Sequence, residues 1–379
     1  MTEEIRGLRI LMVTPRYFPY MGGIETHVHE VGRRLARHGA DITLLTTMPY
    51  GFPTLSHKRD NVEGMRILRV RAWPRQRDYY FAPEIYTMIA RGRWDLIHCQ
   101  GCHTCVPPLA LLAASRASIP YVVTFHTGGH TSRLRSSMRG MQWRLLRPLL
   151  ANASRLIGVS RFEADYFRDT LHLPAQRFSV ISNGATLPDI PQAPQRAGAA
   201  LTIISVGRLE RYKGHQRIIS AFPKIRERYP EARLLILGTG PYEVALRTLA
   251  QRAGIAESME IRAIPAANRQ EMAETLARAA LVVLLSEYEA HPIAVMEALA
   301  LQRPVLVTNT SGLRELAEQG LVQAVALDSS PQEIAQAALQ LIEAPPRPQT
   351  QLALPTWDDC TRQVEAIYSM VTRRGQCAS

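Results

Sequence analysis

The 379-residue sequence predicts a tandem α/β protein, with two domains in series that each wind helices over both faces of a parallel sheet. Three observations predict this. The chain is longer than one hydrophobic core fills, because single cores stop growing near ~250–300 residues. Short apolar runs rich in β-formers alternate with helical periodicity along both halves. The alternation breaks within residues 185–200, ATLPDIPQAPQRAGAA, where three prolines and no periodicity read as a linker. The expected division is a first domain over 1–186, a linker over 187–200, a second domain over 201–345, and a Pro-rich break with a final helix over 346–379.

Residues 8–14, LRILMVT, form the first strand, and the loop PRYFPYMGG leads into a helix over 24–38. Ile24, Val28, Val31 and Leu35 give that helix one apolar face. Strands over 42–46, 65–70 and 96–99 follow, then the apolar stretch 109–114 and strands over 121–125, 155–159 and 178–181. In the second half the strands are 201–206, 233–237, 259–261, 281–285, 304–307 and 324–327. A second Pro-rich break, APPRPQTQLALP, precedes an amphipathic helix over 357–373.

Charge is unevenly distributed. Residues 1–190 hold 25 Lys and Arg against 14 Asp and Glu, whereas the remainder holds 20 against 19. The basic half suits an anionic substrate, an anionic membrane surface or nucleic acid, or reflects arginine-rich usage in a chain with three lysines. The segment MTEEIRGLRILMVTP has neither the basic start nor the long apolar run of a signal peptide, and no apolar stretch reaches the ~18 residues that cross a bilayer. A cytoplasmic protein with reduced cysteines is expected.

In open α/β sheets ligands bind beyond the carboxyl ends of the strands, so those loops carry the candidate chemistry. After the first strand, Gly22 and Gly23 open a helix, where free N–H groups favour an anion. The sequence SVGRLERYKGH places Arg208 and Lys213 at a strand end between Gly207 and Gly214. A planar fork and a point charge suit a diphosphate. Gly238 and Gly240 follow another strand in LLILGTGP, where a flat base can lie against backbone or a turn simply needs them. In SEYEAHPIAVMEAL a helix starts near Pro292, with Glu289 before it and Glu297 inside it. Two carboxylates alone fit an acid/base pair or two surface charges.

Together these residues resemble the retaining glycosyltransferases of family 4. The match runs in order along nearly the whole chain: Gly22-Gly23-Ile24-Glu25, Asp95-Leu-Ile-His98, Thr124-Phe-His126, Val159-Ser160, Asn183-Gly184, Gly207-Arg208 to Lys213-Gly214, Gly238-x-Gly240-Pro241, and the E-x7-E pair Glu289 and Glu297. The resemblance implies a GT-B fold, two facing Rossmann-like domains with a C-terminal helix crossing back to the first. It implies a nucleotide-diphospho-sugar donor, UDP first and GDP next, bound mainly by the second domain, and a sugar or lipid-linked acceptor.

By the same resemblance Arg208 and Lys213 hold the diphosphate, Glu297 the ribose and Glu289 the donor sugar. Gly22, Gly23, Gly240 and the N–H groups of Ile293 and Ala294 complete the donor contacts, and His126 meets the sugar near its anomeric carbon. Tyr17, His98, Ser160 and Asn183 are the candidate acceptor or cleft residues. No cofactor is implied. The cations and the helix start can stabilise the departing diphosphate without metal, and the sequence has no D-x-D triplet. Three positions depart from the family pattern: Ala185-Thr186 after Asn183-Gly184, Pro292 within E-x7-E, and Gln302 where a glycine is common.

HCQGCHTC, residues 98–105, contains the C-x-x-C-H string of haem attachment and a zinc-like ligand set. Its place at a strand end, the absence of an export signal and its close spacing predict buried or cleft-lining thiols, with no metal. Residues 131–155 interleave Arg133, Arg135, Arg139, Arg144, Arg147 and Arg155 with Met138, Met141, Trp143, Leu145, Leu146, Leu149 and Leu150. This basic amphipathic helix suits either an anionic membrane surface, making the protein peripheral on the inner face, or a domain core with solvated arginines. Nucleic acid is not an expected partner, since neither a helix-turn-helix nor an aromatic strand platform is evident. A GT-B sugar-nucleotide epimerase is the alternative enzyme, and a pyridoxal-dependent phosphorylase is disfavoured by the scarcity of lysine.

Overall fold

The computed structural model describes residues 5–20, 22–49, 59–73, 81–126, 133–185, 187, 201–265, 268–345 and 354–377, and of 133–139 and 374–377 the backbone alone. These residues form two compact units. The first takes those up to 126 with 134–183 and 355–377, and the second takes those from 184 to 354. The expected linker, apart from Leu187, and the Pro-rich segment 346–353 lie outside the described residues.

The first unit runs β1 (Arg9–Val13), α1 (Gly23–Arg37), β2 (Asp41–Thr47), β3 (Arg59–Val62), β4 (Met65–Val70), α2 (Glu84–Arg91), β5 (Leu96–Gln100), α3 (Val106–Arg116), β6 (Tyr121–Thr124), α4 (Arg133–Asn152), β7 (Arg155–Gly158), α5 (Arg161–Leu171) and β8 (Phe178–Val180). The sheet order is β3-β4-β2-β1-β5-β6-β7-β8. Every pairing is parallel except β3 with β4. The antiparallel edge strand corrects the all-parallel expectation. Its sequence, RDNV, has three polar residues and no buried face, so it carries no strand signal of its own. Interior strands are buried on both faces, which is why β1 and β5 read as continuous runs.

The second unit runs β9 (Thr202–Val206), α6 (His215–Arg228), β10 (Arg233–Leu237), α7 (Glu243–Arg252), β11 (Met259–Arg262), α8 (Arg269–Ala277), β12 (Leu281–Leu284), α9 (Ile293–Ala300), β13 (Val305–Thr308), α10 (Ser311–Glu318), β14 (Gln323–Val325) and α11 (Pro331–Glu343). Its sheet is parallel throughout, in the order β11-β10-β9-β12-β13-β14. Strand order reverses between β9 and β12 here, and between β1 and β5 in the first sheet. The loops leaving those strands diverge to opposite faces and open a crevice between them.

The last helix, α12 (Trp357–Cys377), outruns the expected 357–373 and packs on the first unit. Arg34 Nε on α1 meets Asp358 Oδ1 at 2.6 Å, His38 pairs with Glu365, and His98 Nδ1 lies 2.6 Å from Tyr368 Oη. In α4 the apolar residues divide between two faces. Trp143, Leu146 and Leu150 enter the core beside Phe125 and Phe167, whereas Met141 and Leu145 are exposed. The side chains of Arg133, Arg135, Met138 and Arg139 lie outside the described set.

Gln302 ends α9 in the left-handed region, at φ 55°. Its N–H reaches Leu299 O at 2.9 Å, and the N–H of Arg303 reaches Ala298 O at 2.9 Å, the pair of bonds that closes a Schellman turn. Glycine adopts this conformation without a Cβ penalty. Replacing the exposed Gln302 with Gly should therefore raise unfolding stability by about 0.5–1 kcal/mol. Urea denaturation checks this, and an unchanged or lowered midpoint would contradict the capping argument.

Candidate active site

The reversal between β9 and β12 decides what meets in the second unit. The loop after β9 carries Arg208 and Lys213, and the loop after β12 carries Glu289. Lys213 Nζ donates to Glu289 Oε1 at 2.5 Å, and Ser286 Oγ donates to the same oxygen at 2.8 Å. The N–H of Glu289 donates to Ser311 Oγ at 2.8 Å. Both charged side chains are largely buried, 15% and 11% exposed. Burial alone would lower the lysine pKa, but the charge of the Glu289 carboxylate, the phenolic group of Tyr212 and the hydrogen bond to Glu289 outweigh it and hold Lys213 above its ordinary value. Lys213 is thus a fixed cation.

Gly214 makes this approach possible. It sits at φ 77°, and a Cβ there would lie 1.8 Å from the Leu285 carbonyl oxygen. Gly238 serves a similar purpose, since its Cβ would lie 1.9 Å from Gly207 O. Close loop packing thus explains the glycine after β10, and Gly240 likewise stands against the backbone of Leu209. Arg208 is 42% exposed, with Nη2 donating to Tyr212 Oη at 3.0 Å and Nη1 3.0 Å from Glu210 Oε1.

Glu297, on α9, is buried and pairs with Arg269 at the start of α8. The two carboxylates of E-x7-E therefore have separate cationic partners. Pro292 is the N-cap residue of α9, and the N–H groups of Val295 and Met296 already point back to its carbonyl. Ile293 and Ala294 supply the first helical N–H groups, the donors that proline leaves to them. His215 bridges Ser205 Oγ at 2.8 Å and the Arg208 carbonyl at 3.3 Å, so it braces the cationic loop from below.

In the first unit three imidazoles gather at the carboxyl ends of β5 and β6. His98 Nε2 lies 2.8 Å from Thr124 Oγ1, His126 Nε2 lies 2.8 Å from Gln100 Oε1, and His27 Nδ1 lies 2.8 Å from Asn183 Oδ1. The His27 and His126 rings meet edge to face at 4.5 Å, with Trp357 beyond His27 at 5.8 Å. All three rings are buried. Burial is the main cause that holds them neutral, bringing His27 to about 4 and His98 to about 3, and His126 well below its ordinary value with neighbouring rings adding to the shift.

The remaining candidates have evident architectural partners. Tyr17 Oη meets His29 Nδ1 at 2.8 Å, and Ser160 caps α5 by accepting from the Glu163 N–H at 3.2 Å. Gly22 precedes α1, and Glu25 Oε2 lies 2.5 Å from where a Cβ would stand, so the glycine makes room for a carboxylate. Gly23 is the first residue of the helix. Asp95 clasps Arg9 at 2.7 Å. Cys99 and Cys102 are buried thiols and Cys105 is exposed; burial pushes Cys102 up to about 12. Among the described residues no group of three or more His, Cys, Asp or Glu is arranged to hold a metal ion.

Sequence reasoning missed Gln100, His27, Arg269 and Ser286. One signal was available: His98 and Gln100 are two apart in a buried strand, as are Thr124 and His126 across the next strand end, so polar groups share one face. Arg269 gave no such signal, because its partner lies 28 residues away.

Two parallel α/β units of this strand order, with the final helix on the first, define the GT-B glycosyltransferase class. The Anabaena protein HepE, solved with UDP and glucose, superposes with a TM-score of 0.75 at 18% identity, covering 96% of this chain and 99% of its own. The family model described as Glycosyltransferase Family 4 matches residues 21–187, and that of Glycosyl transferases group 1 matches 188–352. The chain belongs to the family 4 glycosyltransferases. It is similar to the glycogen synthase of Mycobacterium tuberculosis, 27% identical over 341 residues, covering 83% of this chain and 81% of the relative. It is also similar to the phosphatidyl-myo-inositol mannosyltransferase of Mycobacterium leprae, 26% identical over 325 residues with 83% and 82% covered.

The neutral histidines make stability depend on pH in a defined direction. Their folded pKa values lie below the unfolded 6.5, so below that pH the unfolded chain takes up protons first. Their stabilisation is complete above pH 6.5 and is lost as pH falls toward 4. Each such imidazole should cost about 1–2 kcal/mol of stability between pH 6.5 and 5, before most carboxylates titrate. Urea unfolding across that interval tests this, and a flat stability profile would show that these rings do not stay neutral.

Proposed function

We propose that this chain is a retaining hexosyltransferase that uses a nucleotide-diphospho-sugar, a UDP-sugar before a GDP-sugar, and transfers to a hydroxyl acceptor. The observation that carries the reading is the buried Lys213–Glu289 pair beside the half-exposed Arg208, at the point where strand order reverses. Cations in such a crevice fit a diphosphate, and the adjoining carboxylate fits sugar hydroxyls. HepE, solved with UDP and glucose, supports the uridine donor. A phosphatidyl-myo-inositol mannosyltransferase among the relatives supports a lipid-linked or glycan-precursor acceptor.

In this reading the bond from the anomeric carbon to the diphosphate oxygen breaks as negative charge grows on the leaving group. Arg208, Lys213 and the N–H groups of Ile293 and Ala294 stabilise that charge, so the reaction proceeds without metal. The acceptor hydroxyl attacks from the same face, and the departing phosphate oxygen takes its proton. Glu297 holds the ribose and Glu289 orients the sugar. His126 contacts the sugar near the reacting carbon, and Gly22, Gly23 and Gly240 allow close backbone approach. Tyr17, His98, Ser160 and Asn183 belong to the acceptor side through the groups they position.

Thermal unfolding in EDTA against UDP, GDP, ADP and their common sugars tests the donor. A ligand at ~100 times its Kd adds ~2.7 kcal/mol to stability, a visible shift. A uridine-selective shift that disappears in Lys213→Ala is expected, with turnover lowered roughly 10²–10³-fold in Lys213→Ala and in Arg208→Ala. Absence of a shift with every nucleotide would sink the reading.

We also propose that α4 brings the enzyme to an anionic membrane surface as a peripheral protein. Met141 is 57% and Leu145 72% exposed, beside the exposed Arg144 and Arg147. Among the described residues no helix is long and apolar enough to cross a membrane. Cosedimentation should be stronger with anionic than with neutral liposomes and weaker in a Met141→Ser, Leu145→Ser double variant. Equal, negligible binding to both liposome types would remove this attachment.

A further inference from the structure

Two unfavourable features converge on the ring of His126. Its backbone lies at φ 50°, in the left-handed region that favours glycine. The side chain that meets it, Gln100, is fully buried at the end of β5, where an apolar residue would satisfy the core. Among the described residues only the carbonyl half of that amide is used: Oε1 faces His126 Nε2 at 2.8 Å, and Gln100 Nε2 has no hydrogen-bond partner there. Burying an amide with half of it unused is disfavoured, which leaves the contact made by the other half as the reason for a glutamine here.

The chemistry of the contact supplies that reason. A carbonyl oxygen can only accept, so the ring nitrogen facing it carries the proton. A neutral imidazole has one protonated nitrogen, which leaves Nδ1 with a lone pair. The ring is neutral because it is buried among His27, His98 and His103. Its tilt is set from the other side by His27, itself held by Asn183 and Trp357. Register fixes the contact, since Gln100 pairs with Thr124, two residues before His126.

We propose that Gln100 is a positioning residue for the transfer reaction: its side-chain carbonyl holds His126 as the Nε2–H tautomer and presents Nδ1 as the acceptor for a hydroxyl of the transferred sugar. The proposal rests on the reading that His126 touches that sugar. Gln100 itself touches no substrate and acts through the imidazole.

The test compares wild type, Gln100→Leu, Gln100→Glu and His126→Gln. Two-bond proton–nitrogen correlation spectra of histidine-labelled protein report the tautomer of each ring, with the His126 signal assigned by its loss in His126→Gln. The expected result is a protonated Nε2 in wild type and in Gln100→Glu, which keeps an acceptor oxygen, and a tautomer mixture in Gln100→Leu. With UDP-glucose as probe and water as acceptor, kcat for UDP release should fall about 10–100-fold in Gln100→Leu and recover in Gln100→Glu, at nearly constant KM. Gln100→Leu should unfold at the same or a higher temperature and bind UDP as wild type does, which separates positioning from folding.

A protonated Nδ1 in wild type, or an unchanged tautomer and kcat in Gln100→Leu, would overturn the proposal. Wild-type turnover in His126→Gln would overturn it from the other side, by removing the sugar contact. Failure of wild type to release UDP from UDP-glucose would count against the donor reading alone, and the tautomer spectra would still decide the part played by Gln100.

Discussion

The ion pair between Lys213 and Glu289 is the interaction on which the second unit's chemistry depends. It joins two loops that are far apart in sequence and adjacent only because β9 and β12 are neighbours in the sheet. A lone buried ammonium would be heavily penalised, and losing one partner of such a pair costs about 3–5 kcal/mol. Each charge is therefore tolerated because of the other, and Ser286 completes the carboxylate's hydrogen bonding. For the diphosphate proposed to bind there, Lys213 would be a cation whose desolvation is already compensated. Arg208 is more exposed and meets Tyr212 and Glu210.

The first unit solves a different problem. Its carboxyl-end cluster is polar but uncharged, with three imidazoles held neutral by burial and linked to hydroxyl, amide and carbonyl partners. The returning helix α12 is part of that solution, because Trp357 and Tyr368 cover His27 and His98. A neutral cluster is suited to recognising hydroxyl groups, which need both donors and acceptors. A cationic cluster would favour anions. The difference between the units follows from what each encloses: carboxylates beside the cations in one, and only neutral partners beside the rings in the other.

Most of the sheet was legible in the sequence because its strands are short apolar runs separated by loops and helices. The strand β3 was not, since RDNV pairs only through backbone at an exposed edge. Arg208, Lys213, Glu289 and Glu297 were legible as residue types at strand ends. Their pairings were not, because which loops touch depends on strand order: Lys213 meets Glu289 across the reversal, and Glu297 meets Arg269 on the preceding helix. Gln302 was visible as a departure from the family's glycine. The sequence alone did not say which backbone conformation the glutamine takes, and the positive φ is one that glycine favours. Gln100 was overlooked because glutamine at a strand end looks like a solvated residue, whereas here it is buried against an imidazole.

The basic excess of the first half acquires a location from the same comparison. It does not reside in the histidine cluster, where the rings are neutral. Arginines such as Arg144 and Arg147 instead stand exposed on α4, next to Met141 and Leu145, while Trp143, Leu146 and Leu150 of the same helix are committed to the core. A helix whose core face is already satisfied has no folding reason to expose further large apolar residues among its arginines. This pairing of exposed apolar and basic side chains is what the proposed attachment to an anionic membrane surface rests on. On that ground the proposed membrane attachment and the proposed bond breaking fall to different charges, the arginines of α4 and the two cations of the second unit.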